Sequence, residues 1–213
     1  PPPTPGAALV FDSFSRDNST YILGGRGGLG TTESGTAGTK TWQSNQDAAL
    51  PQPFGILGGS AVMLMDDAAI AWISTAAATG NLDIRVDRTS GRFGSGLNTG
   101  LCFRVTDKNN FFFAYTSHDE TDASKPSKLS LGYYQAGTKT VVASGITMPS
   151  DSWRTLRVVT TQAGGINVYA DNALVYSTNS SVNAFATGAG LYNNAPGMGL
   201  TNRWDNFTVL DVP

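Results

Sequence analysis

Hydrophobic and polar residues alternate with a period of two along much of this chain. The segment 82–87 (LDIRVD) places three aliphatic side chains on one face of an extended strand and three charged side chains on the other. The segment 101–106 (LCFRVT) alternates in the same way, and we expect Val105 to share a face with Leu101 and Phe103. Alternation of this kind predicts strands with one buried face.

Other strands are predicted by composition. The segments 111–116 (FFFAYT) and 128–134 (KLSLGYY) are apolar on both faces, which is typical of strands that are covered on both sides. The segment 165–177 (GINVYADNALVYS) predicts a hairpin with Asp171 and Asn172 at its turn, because these residue types tolerate a positive φ.

One segment has features of both helix and strand. The alanines of 66–80 (DDAAIAWISTAAATG) favour a helix, but Ile70, Trp72 and Ile73 suit a strand equally well. We predict a strand followed by a loop. Taken together, the elements predict an all-β fold, a sandwich of many short antiparallel strands.

The sequence predicts a linker, one domain and two long loops. The opening PPPTPG favours an extended polyproline conformation, so we interpret residues 1–8 as a proline-rich linker from an upstream domain, with an unstructured chain end as the alternative. Residues 9–213 form one predicted domain. The glycine-rich stretches 24–60 and 186–203 are predicted loops, and long loops on a rigid sandwich commonly carry function.

Charge and residue counts exclude several classes of function. The chain has 213 residues and a net charge of −2, so it lacks the basic field that attracts nucleic acid or an acidic membrane. No apolar run approaches the roughly 20 residues of a membrane span, so we expect no membrane insertion. Cys102 and His118 are the only residues of their types. We expect no disulfide and interpret Cys102 as a small buried hydrophobe.

An acidic residue near the end of the chain needs a partner. In the segment 203–211 (RWDNFTVLD), alternation places Asp205 on the same face as Phe207 and Val209. Burying an unpaired carboxylate is costly, so the sequence predicts a compensating group nearby.

The two ends of the chain resemble those of a known superfamily. The chain opens with FDSFSRDNSTYILGG at 11–25 and closes with GAGLYNNAPGMGLTNRWDNFTVLD at 188–211. Over residues 9–211 it resembles the concanavalin A-like lectin/glucanase superfamily, and in particular the laminin-G-like jelly-roll modules of phage tail proteins and secreted bacterial proteins. The resemblance implies an antiparallel two-sheet jelly roll in which the first and last strands pair.

The same resemblance implies a structural calcium ion. Its ligands would include a carboxylate from each end of the chain, here Asp12 and Asp205, and Ca²⁺ favours such oxygen ligands. Two alternatives remain for Asp205, which are an ion pair with Arg16 or Arg203 and hydrogen bonds from backbone N–H groups.

Catalysis is not expected. Glycosidases of the superfamily carry a Glu-x-Asp-x-x-Glu motif, which is absent here, and Glu33 and Glu120 are the only glutamates. The polar segment 117–122 (SHDETD) suits either a solvated loop or an acid/base or metal site, and we favour the loop. We therefore predict no catalytic residues.

The resemblance implies a carbohydrate-binding function. We predict a non-catalytic carbohydrate-binding or cell-surface-adhesion module, extracellular or virion-associated, such as the receptor-binding part of a phage tail protein. Its partner would be a cell-surface glycan or polysaccharide. The alternatives are a structural domain that assembles as a homotrimer and a divergent glycoside hydrolase or lyase. Candidate ligand-binding residues combine rings that stack on sugars with polar groups that bind hydroxyls. They are Trp42, Arg92, Tyr134, Tyr169, Tyr192, Asn193 and Asn194.

Overall fold

The computed structural model describes most of the predicted domain. The described residues are 8–19, 27–46, 50–64, 68–75, 77, 79–88, 99–117, 127–149, 154–194 and 203–212. Arg92, the segment 118–122 and most of the predicted linker at 1–8 lie outside these ranges, so the interpretations placed on them stay predictions.

Within those ranges the regular secondary structure is all β-strand. The strands are β1 (Ala8–Asp12), β2 (Gln43–Ser44), β3 (Phe54–Ile56), β4 (Ala61–Met63), β5 (Ala69–Ser74), β6 (Leu82–Arg88), β7 (Thr99–Asp107), β8 (Asn110–Ser117), β9 (Lys128–Gln135), β10 (Thr138–Thr147), β11 (Thr155–Thr160), β12 (Gly165–Ala170), β13 (Ala173–Asn179), β14 (Gly188–Asn193) and β15 (Arg203–Asp211). The strand predicted within 66–80 is therefore β5. No helix that could cross a membrane occurs among the described residues.

Two antiparallel sheets form the sandwich. Sheet 1 has the order β13-β12-β11-β6-β15-β4-β3, with β1 also paired to β15, and sheet 2 has the order β10-β9-β8-β7-β14-β5-β2. The pairing of β1 with β15 brings Asp12 opposite Phe207, so the first and last strands are neighbours. The predicted all-β antiparallel two-sheet sandwich is confirmed.

The main core lies between the two sheets. The aliphatic face of 82–87 points into it from β6, as the alternation predicts. The two-sided segment 111–116 is divided, because Phe112 packs in this core while Phe111 and Phe113 belong to a second apolar cluster. Cys102 lies fully buried in that second cluster, and burial raises the pKa of its thiol.

A β-bulge in β15 places Asp205 on a different face of the strand from the one predicted. Asn206 has a φ of 49°, and the pairing of β15 with β6 shifts between Asp205 and Thr208. The extra residue lets Trp204 and Phe207 both point into the core. Asp205 therefore lies on the opposite side of the strand from these rings, and the predicted sharing of a face with Phe207 was wrong.

A second bulge, in β7, places Val105 on a different face of the strand from the one predicted. Arg104 has a φ of 48°, and the pairing of β7 with β8 shifts beyond Phe103. Val105 consequently packs in the second cluster instead of sharing the core with Leu101 and Phe103. The guanidinium of Arg104 lies 5.5 Å from the ring centroid of Phe112.

The buried Arg104 is held by backbone carbonyls. Its Nη1 donates to the oxygen of Ser180 at 2.7 Å, and its Nη2 donates to the oxygen of Thr161 at 3.0 Å and to that of Gly165 at 3.2 Å. Burial lowers the pKa of this guanidinium to about 10. The contacts link β7 of sheet 2 with the β11–β12 and β13–β14 connections.

Candidate functional site

The carboxylate of the first strand has a complete set of partners. Asp12 is 0% exposed, and its Oδ1 accepts hydrogen bonds from the backbone N–H of Phe14 at 2.9 Å and from Arg16 Nη1 at 2.6 Å. Its Oδ2 accepts from Arg16 Nη2 at 2.9 Å and from Trp42 Nε1 at 2.7 Å. The bidentate Arg16 geometry is the strong form of an ion pair. Of the two arginines considered for Asp205, Arg16 is therefore bound to Asp12, and Arg203 donates to the backbone oxygen of Leu57 at 3.2 Å.

Trp42 is part of this network and of the core. Its side chain is only 8% exposed, and its ring lies 5.0 Å from that of Phe207 and 5.9 Å from that of Phe14, centroid to centroid. A ring so enclosed cannot stack on a sugar. The candidate ligand-binding role of Trp42 is therefore replaced by a packing and hydrogen-bonding role.

Asp205 has an acidic environment. Its Oδ1 accepts a hydrogen bond from the backbone N–H of Asn206 at 2.8 Å, which matches the backbone alternative. Asp87 is its direct partner across the β15–β6 ladder. Burial raises the pKa of the Asp205 carboxyl, and the charges of Asp87, Glu33 and Asp12 add to that rise. Like charges that face each other across a ladder destabilise the sheet.

The hydrogen bonds of Asp12 compete with the predicted calcium ion between Asp12 and Asp205. Four donors already occupy the two oxygens of Asp12. Among the described residues, no group of three or more His, Cys, Asp or Glu side chains is arranged to hold a metal ion. Asp205 keeps acceptor capacity, so the calcium site stays a prediction that a measurement at this residue can decide.

We expect Asp205→Asn to stabilise the metal-free domain at pH 7 by about 0.2–1 kcal/mol, because it removes one of two facing charges. The raised folded pKa means that the wild-type penalty exists above that pKa and disappears as the carboxyl is protonated. The gain should therefore vanish as the pH falls towards the ordinary aspartate value of 3.8. Thermal melts over a pH series in the presence of a chelator measure it.

The same variant also tests the predicted calcium site, through its melting temperature with and without calcium. If an ion uses Asp205, calcium raises the melting temperature of the wild type and not that of Asp205→Asn. Asp107→Asn, an exposed change at the last residue of β7, is the matched control. Identical wild-type melts with calcium and with chelator would contradict the calcium prediction.

The outer side of sheet 2 carries a cluster of aromatic rings, which we call the aromatic face. It consists of Phe111, Phe113, Tyr115, Tyr134 and Tyr192. The rings of Phe113 and Tyr192 are stacked with centroids 4.9 Å apart, and those of Phe111 and Tyr134 are stacked at 4.8 Å. Tyr115 and Tyr134 are only partly buried, so the edges of this face are accessible.

A lysine and an asparagine cover part of the aromatic face. The Lys139 ammonium lies 5.0 Å from the ring centroid of Phe113 and donates a hydrogen bond to Asn194 Oδ1 at 2.7 Å. The hydroxyl of Tyr192 donates to the same oxygen at 2.7 Å. Burial lowers the pKa of Lys139 and raises that of Tyr192, so the tyrosine hydroxyl keeps its proton at neutral pH. The amino group of Lys139 and the amide of Asn194 therefore lie beside apolar rings at one edge of the face.

A cavity of about 140 Å³ lies beside this face. Tyr134, Tyr192 and Phe111 supply aromatic walls. Asn45 and Asn109 supply amides, and Lys108 supplies an ammonium group. Aromatic walls with a few convergent polar groups are the usual composition of a small-molecule site.

The structure brings some of the predicted ligand-binding residues together and separates others. Tyr134 and Tyr192 line the cavity, and Asn194 is joined to Tyr192 and Lys139. Asn193 is fully buried at the end of β14. Tyr169 lies on sheet 1, on the other side of the molecule.

Sequence reasoning missed Lys108, Asn109 and Lys139. The first two lie in the β7–β8 turn and the third lies at the start of β10. A signal existed for the rings, because 111–116 is apolar on both faces and one of those faces had to meet something other than the main core.

Comparison with known proteins supports the architecture. No protein-family model matches the chain, and no curated protein matches its sequence. Among solved structures, β-agarase A from Zobellia galactanivorans superposes with a TM-score of 0.57 at 10% identity, covering 98% of this chain and 92% of that one. A second similar structure is domain 4 of AbnA, a GH43 extracellular arabinanase from Geobacillus stearothermophilus, in complex with arabinotriose. It superposes with a TM-score of 0.54 at 12% identity, covering 98% of this chain and 94% of that one.

A third solved structure is similar over a shorter part of the chain. The carbohydrate-binding module CBM66 from Bacillus subtilis gives a TM-score of 0.51 at 19% identity, covering 80% of this chain and 91% of that one. Identities this low establish the fold alone. The chain has the concanavalin A-like jelly-roll fold, as the resemblance of its two ends implied.

Proposed function

We propose that this chain is a non-catalytic carbohydrate-binding domain and that the cavity beside Tyr134 receives the glycan. The observation that carries the proposal is the composition of that cavity, where Tyr134, Asn45, Asn109 and Lys108 converge. A sugar ring has apolar C–H faces, which pack on an aromatic ring, and hydroxyls, which bind amides and ammonium groups.

The cavity can receive one face of a sugar. It measures about 140 Å³, which is too small to enclose an oligosaccharide. Tyr134 is fixed by stacking on Phe111, so little conformational entropy is lost when its ring meets a ligand. The similar solved structures include a carbohydrate-binding module and a glycanase domain in complex with arabinotriose, which supports a glycan as the ligand class.

The absence of catalysis is part of the proposal. Glu33, one of the two glutamates, accepts hydrogen bonds from Ser13 Oγ at 2.8 Å and from the backbone N–H of Ser15 at 3.1 Å. Glu33 binds residues that directly follow β1, and it does not line the cavity beside sheet 2. Retaining hydrolysis would need two carboxyls roughly 5 Å apart beside the sugar.

The finer parts of the proposal follow from the resemblance. We propose an extracellular or virion-associated domain that binds a cell-surface glycan or polysaccharide, in the manner of a phage-tail receptor-binding module. A linker to an upstream domain and a homotrimeric assembly belong to the same proposal.

We expect the wild-type domain to be retarded in native gels that contain its polysaccharide and Tyr134→Ala to bind about tenfold more weakly, because a stacking wall is removed. The gels contain agarose or arabinan, the glycans for which the similar agarase and arabinanase are named, or mixed-linkage β-glucan as a further neutral glycan. Isothermal titration with the matching oligosaccharide supplies the dissociation constant.

Two controls complete this experiment. Phe185→Ala removes an exposed ring that does not line the cavity and should leave binding unchanged. Incubation of each polysaccharide with the domain should release no reducing ends. Full binding by Tyr134→Ala would contradict the cavity as the site, and sugar release would contradict the non-catalytic assignment.

A further inference from the structure

The outer side of sheet 1 carries a row of residues aligned across five strands. Tyr169 pairs with Arg157, Arg157 with Arg85, Arg85 with Thr208, and Thr208 with Phe11. The neighbouring row, with Val158 and Ile84 among its members, lies in the core, so this row faces away from the core.

A buried carboxylate fixes the two arginines. Asp83 is 1% exposed and accepts bidentate hydrogen bonds from Arg157 through Nε and Nη2, both at 2.8 Å. Arg85 donates to the same oxygens through Nε at 3.0 Å and Nη2 at 2.6 Å. Both guanidinium planes are therefore held rigidly against the sheet.

Arg157 in turn holds the ring of Tyr169. Its guanidinium carbon lies 4.9 Å from the ring centroid, and its side chain is only 3% exposed. One face of the ring covers the guanidinium. Because Tyr169 is only partly buried, its other face meets solvent. The salt bridge thus holds a partly exposed aromatic ring in place before any ligand arrives.

The surroundings of this ring suit a sugar chain. Leu174, its partner on the edge strand β13, is 58% exposed and extends the apolar surface. Asn167 and Ser177 lie on the same two strands, joined by a hydrogen bond of 2.7 Å, and they offer an amide and a hydroxyl at the surface.

The local charges select a neutral ligand. Two arginines in the row, Arg157 and Arg85, lie beside Asp83 and Asp87 on the same face of β6, and Asp205 faces Asp87 from β15. Charges of both signs mixed this closely give little electrostatic attraction for a polyanion or a polycation. A neutral, hydroxyl-rich chain is the ligand that a flat ring with flanking hydrogen-bonding groups recognises.

We propose that sheet 1 carries a second carbohydrate-binding surface, centred on Tyr169, which accepts a neutral polysaccharide lying across the strands. The surface is separate from the cavity in sheet 2, although the class of ligand rests on the proposed function. Two surfaces on opposite sheets would let one domain join two polysaccharide chains.

The test compares Tyr169→Ala, Tyr134→Ala and the double variant in affinity gels that contain agarose, arabinan or mixed-linkage β-glucan. We expect Tyr169→Ala to bind about tenfold more weakly, the double variant to lose retardation, and Tyr169→Phe to bind as the wild type, because the phenyl ring preserves stacking. Melting temperatures confirm that each variant is folded.

Each outcome decides between the two sites. If Tyr134→Ala alone removes all binding and Tyr169→Ala removes none, the second surface is overturned and the proposed function stands. If Tyr169→Ala removes all binding and Tyr134→Ala removes none, the second surface stands and the cavity is overturned. Absence of wild-type binding to all three polysaccharides overturns both.

A measurement on the unaltered protein covers the case in which a variant fails to fold. Hydroxyl-radical footprinting of the wild type in saturating polysaccharide should reduce oxidation of Tyr169. Oxidation of Tyr169 that is unchanged while the polysaccharide is bound would overturn the second surface.

Discussion

Replacing Asp83 with alanine should lower the free energy of unfolding by about 3–5 kcal/mol, the cost of leaving a buried ion pair without one partner. Arg157 would remain almost fully buried with its counterion removed, and Arg85 would lose its bidentate acceptor. Urea unfolding followed by tryptophan fluorescence measures the change.

Acid should reproduce part of this loss. Burial opposes ionisation of Asp83, but hydrogen bonds from Arg85 and Arg157 outweigh it and hold the pKa below the ordinary value of 3.8. A lowered folded pKa contributes stability that is complete above the unfolded value and is lost as the pH falls through the folded one. The difference between wild type and Asp83→Asn should therefore shrink below about pH 4.

An apolar replacement is the informative control. Asp83→Leu combined with Arg157→Met removes both charges and fills the same space, and such exchanges of buried pairs are often neutral or stabilising. The double variant should recover most of the stability lost in Asp83→Ala. A double variant as unstable as the single one would show that packing, and not the uncompensated charge, sets the cost.

Asp12→Ala should have a smaller effect, about 3 kcal/mol, because Trp42 loses its acceptor in the core and the partly exposed Arg16 loses its bidentate partner. Glu33→Gln is the matched control, since Glu33 lies 3.6 Å from Arg16 but is partly exposed. A partly exposed pair contributes about 1 kcal/mol or less. The two variants are compared by urea unfolding at pH 7 in the presence of a chelator. Equal losses would contradict the assignment of Asp12 as the main partner of Arg16.

Regular alternation made many strands predictable, and bulges limited how far the prediction reached. The predicted loop at 186–203 was wrong in part, because residues 188–193 form β14. The segment 82–87 keeps its period along a continuous ladder, so its buried face was predicted correctly. The faces of Val105 and Asp205 were wrong because one extra residue reverses the alternation beyond it. Asparagine tolerates the positive φ found at residue 206, but arginine at position 104 is not a residue type that predicts a bulge.

The candidate sites depended on contacts between distant segments, which alternation does not encode. Tyr134 and Tyr192 were predicted as binding residues individually, but their meeting with Asn109 requires the order of sheet 2. Trp42 was predicted as a sugar-stacking ring. In the structure its indole nitrogen donates a hydrogen bond to Asp12, which lies 30 residues earlier in the chain. The partner of that buried carboxylate was an arginine four residues away, within reach of sequence reasoning.

The enclosure of Cys102 has a practical use. This is the single sulfhydryl of the chain, it has no accessible surface, and burial raises its pKa, so alkylating and maleimide reagents should leave it untouched. A cysteine placed at an exposed site such as Ser177 would then be the sole reactive position. Fluorophores or spin labels could be attached there without first altering the native sequence elsewhere.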